Sequence, residues 1–190
     1  MSLTSVYFVR HAESDISVLD DNMRPLTAKG RKDCALVTDF LKDKGIDVVL
    51  SSPYKRSVDT VAGFADSAGL QVELIEDFRE RKVGDWVEDF KGYSRKQWED
   101  FSFKQPEGEN LFEVQARNIA ALEEVLIKYK DKFIAVGTHG TALSTIVNHY
   151  DNTYNHEDFW AMAGLMPWMV KMDFDGNRCV CIEKIDLFEI

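Results

Sequence analysis

The chain has 190 residues, 45% of them hydrophobic, which suits one domain over residues 1–190 with a sizeable core. Its formal charge of −10 argues against nucleic-acid binding, since polyanions are usually held on a basic face; an anionic ligand would need a local basic pocket. No apolar stretch approaches the roughly 20 residues that span a bilayer, and the first residues lack a charged-then-apolar signal pattern, so a soluble, cytoplasmic monomer or homodimer without membrane partners is expected.

Thr4-Ser5-Val6-Tyr7-Phe8-Val9 is an apolar, β-branched and aromatic run, long enough for a buried strand and too short for a helix. Arg10 and His11 follow at once, then the small Ala12. A cation and an imidazole at the carboxyl end of a buried strand stand where open α/β sheets place ligand-binding groups. Taken alone, the dipeptide reads equally well as an ordinary strand exit. The functional reading needs a second cation, a second histidine and a proton donor elsewhere.

Asp15 to Arg24 is polar and rich in Asp, a loop. Pro25-Leu26-Thr27 begins a helix with Thr27 as N-cap and a stripe of Ala35, Leu36, Val37, Phe40 and Leu41, stopped by Gly45. Ile46 to Leu50 reads as a second buried strand. Ser51-Ser52-Pro53 offers a cap and an N1 proline for a helix from about Tyr54 to Ala68. Arg56 stands in its first turn, where a cation opposes the helix dipole. A bound anion would explain that placement, since the free N–H groups and the guanidinium would act on it together; without one, a surface arginine is the simpler reading.

Val72 to Ile75 predicts a third strand, and the charged run Glu76 to Lys82 has the composition of a solvated face. From about 84 to 110, Trp86, Phe90, Tyr93, Trp98, Phe101 and Phe103 alternate with charges and glycine without a clear period. This predicts a small helical excursion over the sheet, a candidate lid whose aromatics pack the excursion itself. Leu111 to Tyr129 is the clearest helix, with apolar Leu111, Val114, Ile119, Leu122, Val125 and Leu126. Phe133 to Val136 is a fourth strand leading into Gly137-Thr138-His139-Gly140-Thr141, a second histidine at a strand's carboxyl end, then a helix to about Tyr150. His149 and His156 read as surface or packing residues, and no spacing of His, Cys and Asp suggests a metal site. Trp168 to Phe174, a turn at Asp175-Gly176-Asn177, and Cys179 to Ile185 form a closing hairpin. Cys34, Cys179 and Cys181 contain no C-x-x-C pair and are expected as reduced, buried or half-buried thiols. Strands alternating with helices imply an α/β fold, a three-layer α/β/α sandwich with a mainly parallel central sheet.

Six short patterns occur in order. They are Arg10-His11-Ala12-Glu13-Ser14, Pro25-Leu26-Thr27-x-x-Gly30, Ser51-Ser52-Pro53-x-x-Arg56-Ser57-x-x-Thr60, Glu80 with Gly84-x-Trp86, Pro106-Glu107-Gly108-Glu109 with Glu113 and Arg117, and Val136-x-x-His139-Gly140. Each is weak alone, but in sequence they are specific, and over most of its length the chain resembles the histidine phosphatase superfamily that includes phosphoglycerate mutases. The resemblance implies a phosphoglycerate mutase-like fold and a metal-independent reaction with no cofactor. His11 would attack phosphorus to give a phosphohistidine, while Arg10, Arg56 and a protonated His139 bind the phosphoryl oxygens. Glu80 would protonate the leaving alkoxide and then deprotonate water. Without the resemblance Glu80 reads as a surface carboxylate paired with Arg79 or Arg81. Ala12 replaces the usual Gly, a small change unless that position needs positive φ. Ser17 stands where many members have a phosphate-contacting Asn, and Ile16 replaces a frequent Trp, so Ser14 or Ser17 is expected to complete the phosphate pocket.

The favoured activity is hydrolysis of a small phosphorylated metabolite. Mutases resemble one another in a longer excursion with paired arginines, whereas Trp86 to Pro106 offers only Lys91, Arg95, Lys96 and Lys104. Mutase-type transfer is the alternative. Arg24-Pro25-Leu26-Thr27 also resembles small phosphohistidine protein phosphatases, which usually lack a glutamate such as Glu80. A non-catalytic phosphate-binding module is the reading from a different class.

Overall fold

The computed structural model describes residues 3–85 and 87–189. Its strands are β1 (Thr4–Arg10), β2 (Val48–Ser51), β3 (Val72–Leu74), β4 (Phe133–Thr138), β5 (Trp168–Asp175) and β6 (Arg178–Ile185). Its helices are α1 (Ala28–Leu41), α2 (Lys55–Ala68), α3 (Phe90–Glu99), α4 (Leu111–Lys128), α5 (Gly140–Tyr150) and α6 (His156–Ala161). The apolar runs of β1, β2 and β4 suit strands covered on both faces, and they lie parallel in the centre of one sheet of order β3-β2-β4-β1-β5-β6. β3 adds a parallel edge beside β2, and the hairpin of β5 and β6 adds antiparallel to β1.

Alternate residues of the central strands face opposite layers. Tyr7, Val9, Val49 and Ala135 pack with Val37 and Leu41 of α1 and with Val61, Phe64 and Ala65 of α2. On the other face Val6, Phe8, Leu50, Ile134 and Val136 pack with Leu122, Val125 and Leu126 of α4, with Leu143 and Ile146 of α5, and with Phe159 of α6. The result is the expected α/β/α sandwich. From the neighbouring ends of β1 and β4 the chain departs to opposite faces, into α1 and into α5. A crevice opens at such a switch point, and it lies between Arg10–His11 and His139.

The opening of α1 explains the Pro-Leu-Thr-x-x-Gly pattern. Thr27 caps the helix by accepting from the Gly30 N–H at 2.9 Å. A Cβ on Gly30 would lie 2.1 Å from the Glu13 carbonyl oxygen, so glycine lets the loop after His11 rest against the helix. The expected start of α2 is corrected: Tyr54 occupies its N-cap position without a side-chain cap, and Pro53 lies outside. The sheet claims the residues before it, since Ser51 pairs with Gly137 in register and the Ser52 N–H donates to the Gly137 carbonyl at 2.9 Å. The turn therefore falls later than the proline suggests.

The excursion contains α3, capped by Asp89 accepting from the Gly92 N–H at 2.9 Å. Trp98 packs it onto Tyr154 and Phe159, with ring centroids 5.8 and 5.9 Å away; Trp86 lies outside the described residues. Helix α6 lies beyond the elements that the sequence pattern predicts, although Asn155 and Asp158 form a capping box at its start. Its first residue, His156, stacks on Trp160 as a packing residue. Cys34 and Cys179 are half-buried free thiols and Cys181 is exposed. Among the described residues no helix is long and apolar enough to cross a membrane.

Candidate active site

His11 leaves β1 with its backbone N–H still donating to the Thr138 carbonyl at 3.0 Å, which ties it to the end of β4. Its imidazole is buried, and Nδ1 lies 2.7 Å from the Ala12 carbonyl oxygen. A carbonyl can only accept, so Nδ1 carries the proton and Nε2 keeps its lone pair. The Arg56 Nε–H donates to Nε2 at 3.2 Å, which fits the same tautomer. Burial, and then the guanidinium groups of Arg56 and Arg10, hold His11 well below the usual histidine range. Ala12 is not among the residues with positive φ, so its side chain costs the turn no strain. Its N–H donates to Thr60 Oγ1 at 3.0 Å, and that hydroxyl donates to the Arg56 carbonyl at 2.7 Å. The loop after His11 is thereby fastened to the first two turns of α2.

Arg56 is buried, not the surface residue its sequence position alone suggests. Its Nη1 donates to the Asp21 carbonyl at 2.6 Å and lies 3.2 Å from Asp21 Oδ1, and its guanidinium stands over the Tyr54 ring. Arg10 directs Nη1 to the carbonyls of Met162, Ala163 and Leu165 at 2.7–3.0 Å, while its buried Nε has no partner among the described residues. Burial pulls Arg10 down to about 10, which leaves it cationic near neutral pH. His139 is fully buried at the start of α5, with Nε2 2.8 Å from Ser52 Oγ, Nδ1 without a partner among the described residues, and its ring 5.3 Å from that of His11. Burial first, then Arg56 and His11, hold it well below the usual range. A cationic His139 therefore requires the charge of a bound anion.

Glu80 does not belong to a solvated face. Its Oε1 accepts from the Arg81 and Ala142 N–H groups at 2.8 and 3.1 Å, and its Oε2 from the Thr141 N–H at 3.0 Å. The carboxylate thus sits at the N-terminus of α5, where free N–H groups and the helix dipole favour an anion. Arg79 pairs instead with Asp77 and Glu109. Ser17 is exposed, with its hydroxyl and N–H both turned onto Asp15 Oδ1, and it lines no part of the site.

Arg10, His11, Ser14, Arg56, Glu80 and Thr141 line one cavity of about 880 Å³, whose walls include apolar Ile16, Leu19, Val83, Val87 and Phe90. His139 meets it through the imidazole of His11 rather than lining it. Thr60 and Thr141, and the carbonyls that orient Arg10, were not anticipated as parts of the site; Thr60 sits within a recognised pattern, whereas any residue can offer a carbonyl. Among the described residues no group of three or more His, Cys, Asp or Glu side chains is placed to hold a metal ion.

The sequence model of the histidine phosphatase superfamily (branch 1) matches residues 6–186. The chain belongs to this superfamily. It is 28% identical over 150 residues to an uncharacterized phosphatase, PhoE, of Bacillus subtilis (strain 168), covering 76% of each chain. It is 27% identical over 161 residues to a probable phosphoglycerate mutase, GpmB, of Enterobacter sp. (strain 638), covering 77% of this chain and 74% of that one. Its fold matches that of a mycobacterial glucosyl-3-phosphoglycerate phosphatase with a TM-score of 0.79 at 18% identity, over 96% and 98% of the two chains.

In this member of the superfamily the two buried histidines have a consequence for stability. Both are held neutral in the folded state. The unfolded chain protonates them near about pH 6.5, so below that value the unfolded state binds more protons and stability falls as pH drops, by up to about 1.4 kcal/mol per pH unit for each histidine. Denaturant unfolding at pH 7.5 and 5.5 should show a smaller acid loss in His139→Gln than in the parent. An equal loss would contradict neutral burial of His139.

Proposed function

We propose that the chain hydrolyses small phosphomonoesters through a phosphohistidine at His11 Nε2, without metal or cofactor. The observation that carries this reading is the contact of His11 Nδ1 with the Ala12 carbonyl, which leaves a buried, neutral imidazole whose unprotonated Nε2 accepts from the Arg56 Nε–H. The Nε2 lone pair attacks phosphorus in line, and the ester P–O bond breaks with its electron pair leaving on oxygen. That oxygen takes the proton that Glu80 carries in the substrate complex, where the negative charge of the bound phosphoryl group opposes the pull of the three N–H groups on its anion. Water then attacks the phosphohistidine, yields a proton to the Glu80 carboxylate, and returns the N–P electron pair to Nε2. Arg10 and Arg56 neutralise the phosphoryl oxygens throughout, joined by His139 once the bound phosphoryl charge has favoured its protonation. Ser14 rather than Ser17 completes the pocket.

Relatives named phosphatase and probable mutase share this superfamily. Hydrolysis is favoured because three of the four basic residues of the excursion turn elsewhere: Lys104 pairs with Glu113, Lys91 stands over Trp160 and Lys96 over Phe103. Neither Arg95 nor any of these three lines the cavity, whose cationic lining includes Arg10, Arg24, Arg56, Arg81 and Lys82. The test is phosphate release from a panel of phosphorylated metabolites and an aryl phosphate, with and without excess EDTA. Release at the same rate in both conditions is expected. Loss in EDTA with recovery on adding Mg²⁺ would overturn the metal-independent assignment. Phosphoryl transfer between metabolites without phosphate release would indicate a mutase, and no turnover of any ester would indicate a binding module.

A further inference from the structure

Glu80 lies in a stretch that is neither helix nor strand, so no ladder of regular hydrogen bonds fixes its backbone. Such a segment needs partners for its carbonyl and N–H groups from elsewhere. One ion pair on the far side provides them. Arg117, on α4, donates from Nη1 to the carbonyls of Asp77 and Arg79 at 2.8 and 2.9 Å, and from Nη2 to the carbonyl of Glu80 at 3.1 Å. Its Nε and Nη2 also grip Glu109, at 2.8 Å to Oε1 and 3.0 Å to Oε2. Glu109 Oε2 in turn accepts from the Lys82 N–H at 2.9 Å, and the Glu109 N–H donates to the Lys82 carbonyl at 2.8 Å. Residues 77 to 82 are thus held on both sides of Glu80 by two side chains that do not themselves line the cavity.

The pair is ordered and mostly buried, with side-chain exposures of 11% for Arg117 and 18% for Glu109. Burial alone would raise the Glu109 carboxyl, yet Arg117 and the Lys82 N–H hold it below the usual range. Gly108 permits the approach, since a Cβ there would lie 2.4 Å from the Val83 carbonyl oxygen. The Pro106–Glu109 and Arg117 pattern therefore acts on the segment that carries Glu80.

We propose that Arg117 and Glu109 are positioning residues for Glu80, setting the distance and angle at which its carboxyl meets the leaving oxygen. The inference rests on the acid role given to Glu80 above. A fork that reaches three carbonyls and a carboxylate at once cannot be replaced by an ammonium, so Arg117→Lys loosens the segment while keeping its charge. Misplacement on the scale of 1 Å can cost about 10²-fold in a step that depends on geometry.

The experiment measures single-turnover phosphoenzyme formation from one alkyl and one aryl phosphate in the parent, Arg117→Lys, Glu109→Gln and Glu80→Gln, and in each of the first two combined with Glu80→Gln. Glu109→Gln keeps the size of the side chain and serves if Arg117→Lys does not fold. The expected result is a loss on the order of 10²-fold for the alkyl ester, a near-parent rate for the aryl ester, and no further loss when either change is added to Glu80→Gln. Equal losses on both esters, or full additivity with Glu80→Gln, would overturn the positioning role alone. If Glu80→Gln itself does not separate the two esters, the acid assignment fails and takes this inference with it.

Discussion

Replacing His11 with alanine is expected to remove turnover while the fold remains, because no neighbour in the cavity can supply the bond that Nε2 forms with phosphorus. Arg10 and Arg56 would still bind and polarise a phosphoryl group and Glu80 would still serve the leaving oxygen, so the residual rate is that of a bound ester attacked directly by water. Deleting the nucleophile of a covalent mechanism costs on the order of 10⁶-fold in rate. The side chain makes one local hydrogen bond to Ala12 and accepts one from Arg56, so its loss opens a small polar space beside the cavity rather than a hole in the apolar layers. Circular dichroism should match the parent while phosphate release falls to background. Near-parent activity in His11→Ala would contradict the covalent mechanism.

Glu80→Gln should divide substrates by leaving group. An alkoxide is a poor leaving group and needs a proton as the ester bond breaks, so alkyl phosphates should lose about 10²–10⁴-fold. A phenolate leaves without a full proton, so phosphoenzyme formation from an aryl phosphate should survive, although hydrolysis of that phosphoenzyme slows because water also loses its base. Glutamine offers one acceptor oxygen where the carboxylate meets three N–H groups, from Arg81, Thr141 and Ala142. One of those donors then faces an amide NH₂, which should cost about 1–3 kcal/mol of stability; rates are therefore compared well below the unfolding temperature. Equal, small losses on both esters would return Glu80 to the status of an ordinary carboxylate.

Much of this arrangement is legible in the sequence, for physical reasons that differ by element. β1, β2 and β4 declare themselves because strands covered on both faces must be apolar throughout, and α1 does so through Thr27 and Gly30. His11 and His139 share one signal, a histidine directly after a buried run, and the parallel pairing of β1 with β4 turns that repetition into proximity. Other parts have no local signal. The start of α2 shifted because a tertiary pairing, Ser51 with Gly137, outweighed the preference of proline for a helix's first turn. Glu80 and Arg81 lie in a charged run whose composition suggests water, yet α5 supplies the N–H groups that hold one and Gln97 receives the other. Ser17 stands where the resemblance implies a phosphate contact, but the nearer Asp15 captures its hydroxyl. The carbonyls of Met162, Ala163 and Leu165 orient Arg10 from a turn whose side chains carry no hint of that task.

The most direct test of the account is to look for the covalent intermediate itself. A phosphomonoester labelled at phosphorus would be mixed with a molar excess of protein, quenched within the first turnover in denaturing alkali, where phosphoramidate bonds endure, and the peptides mapped. The account predicts transient label on the peptide that carries His11, at Nε2, with none on the corresponding peptide of His11→Ala. Rapid phosphate release with no labelled protein at any time, or with label on another residue, would contradict it.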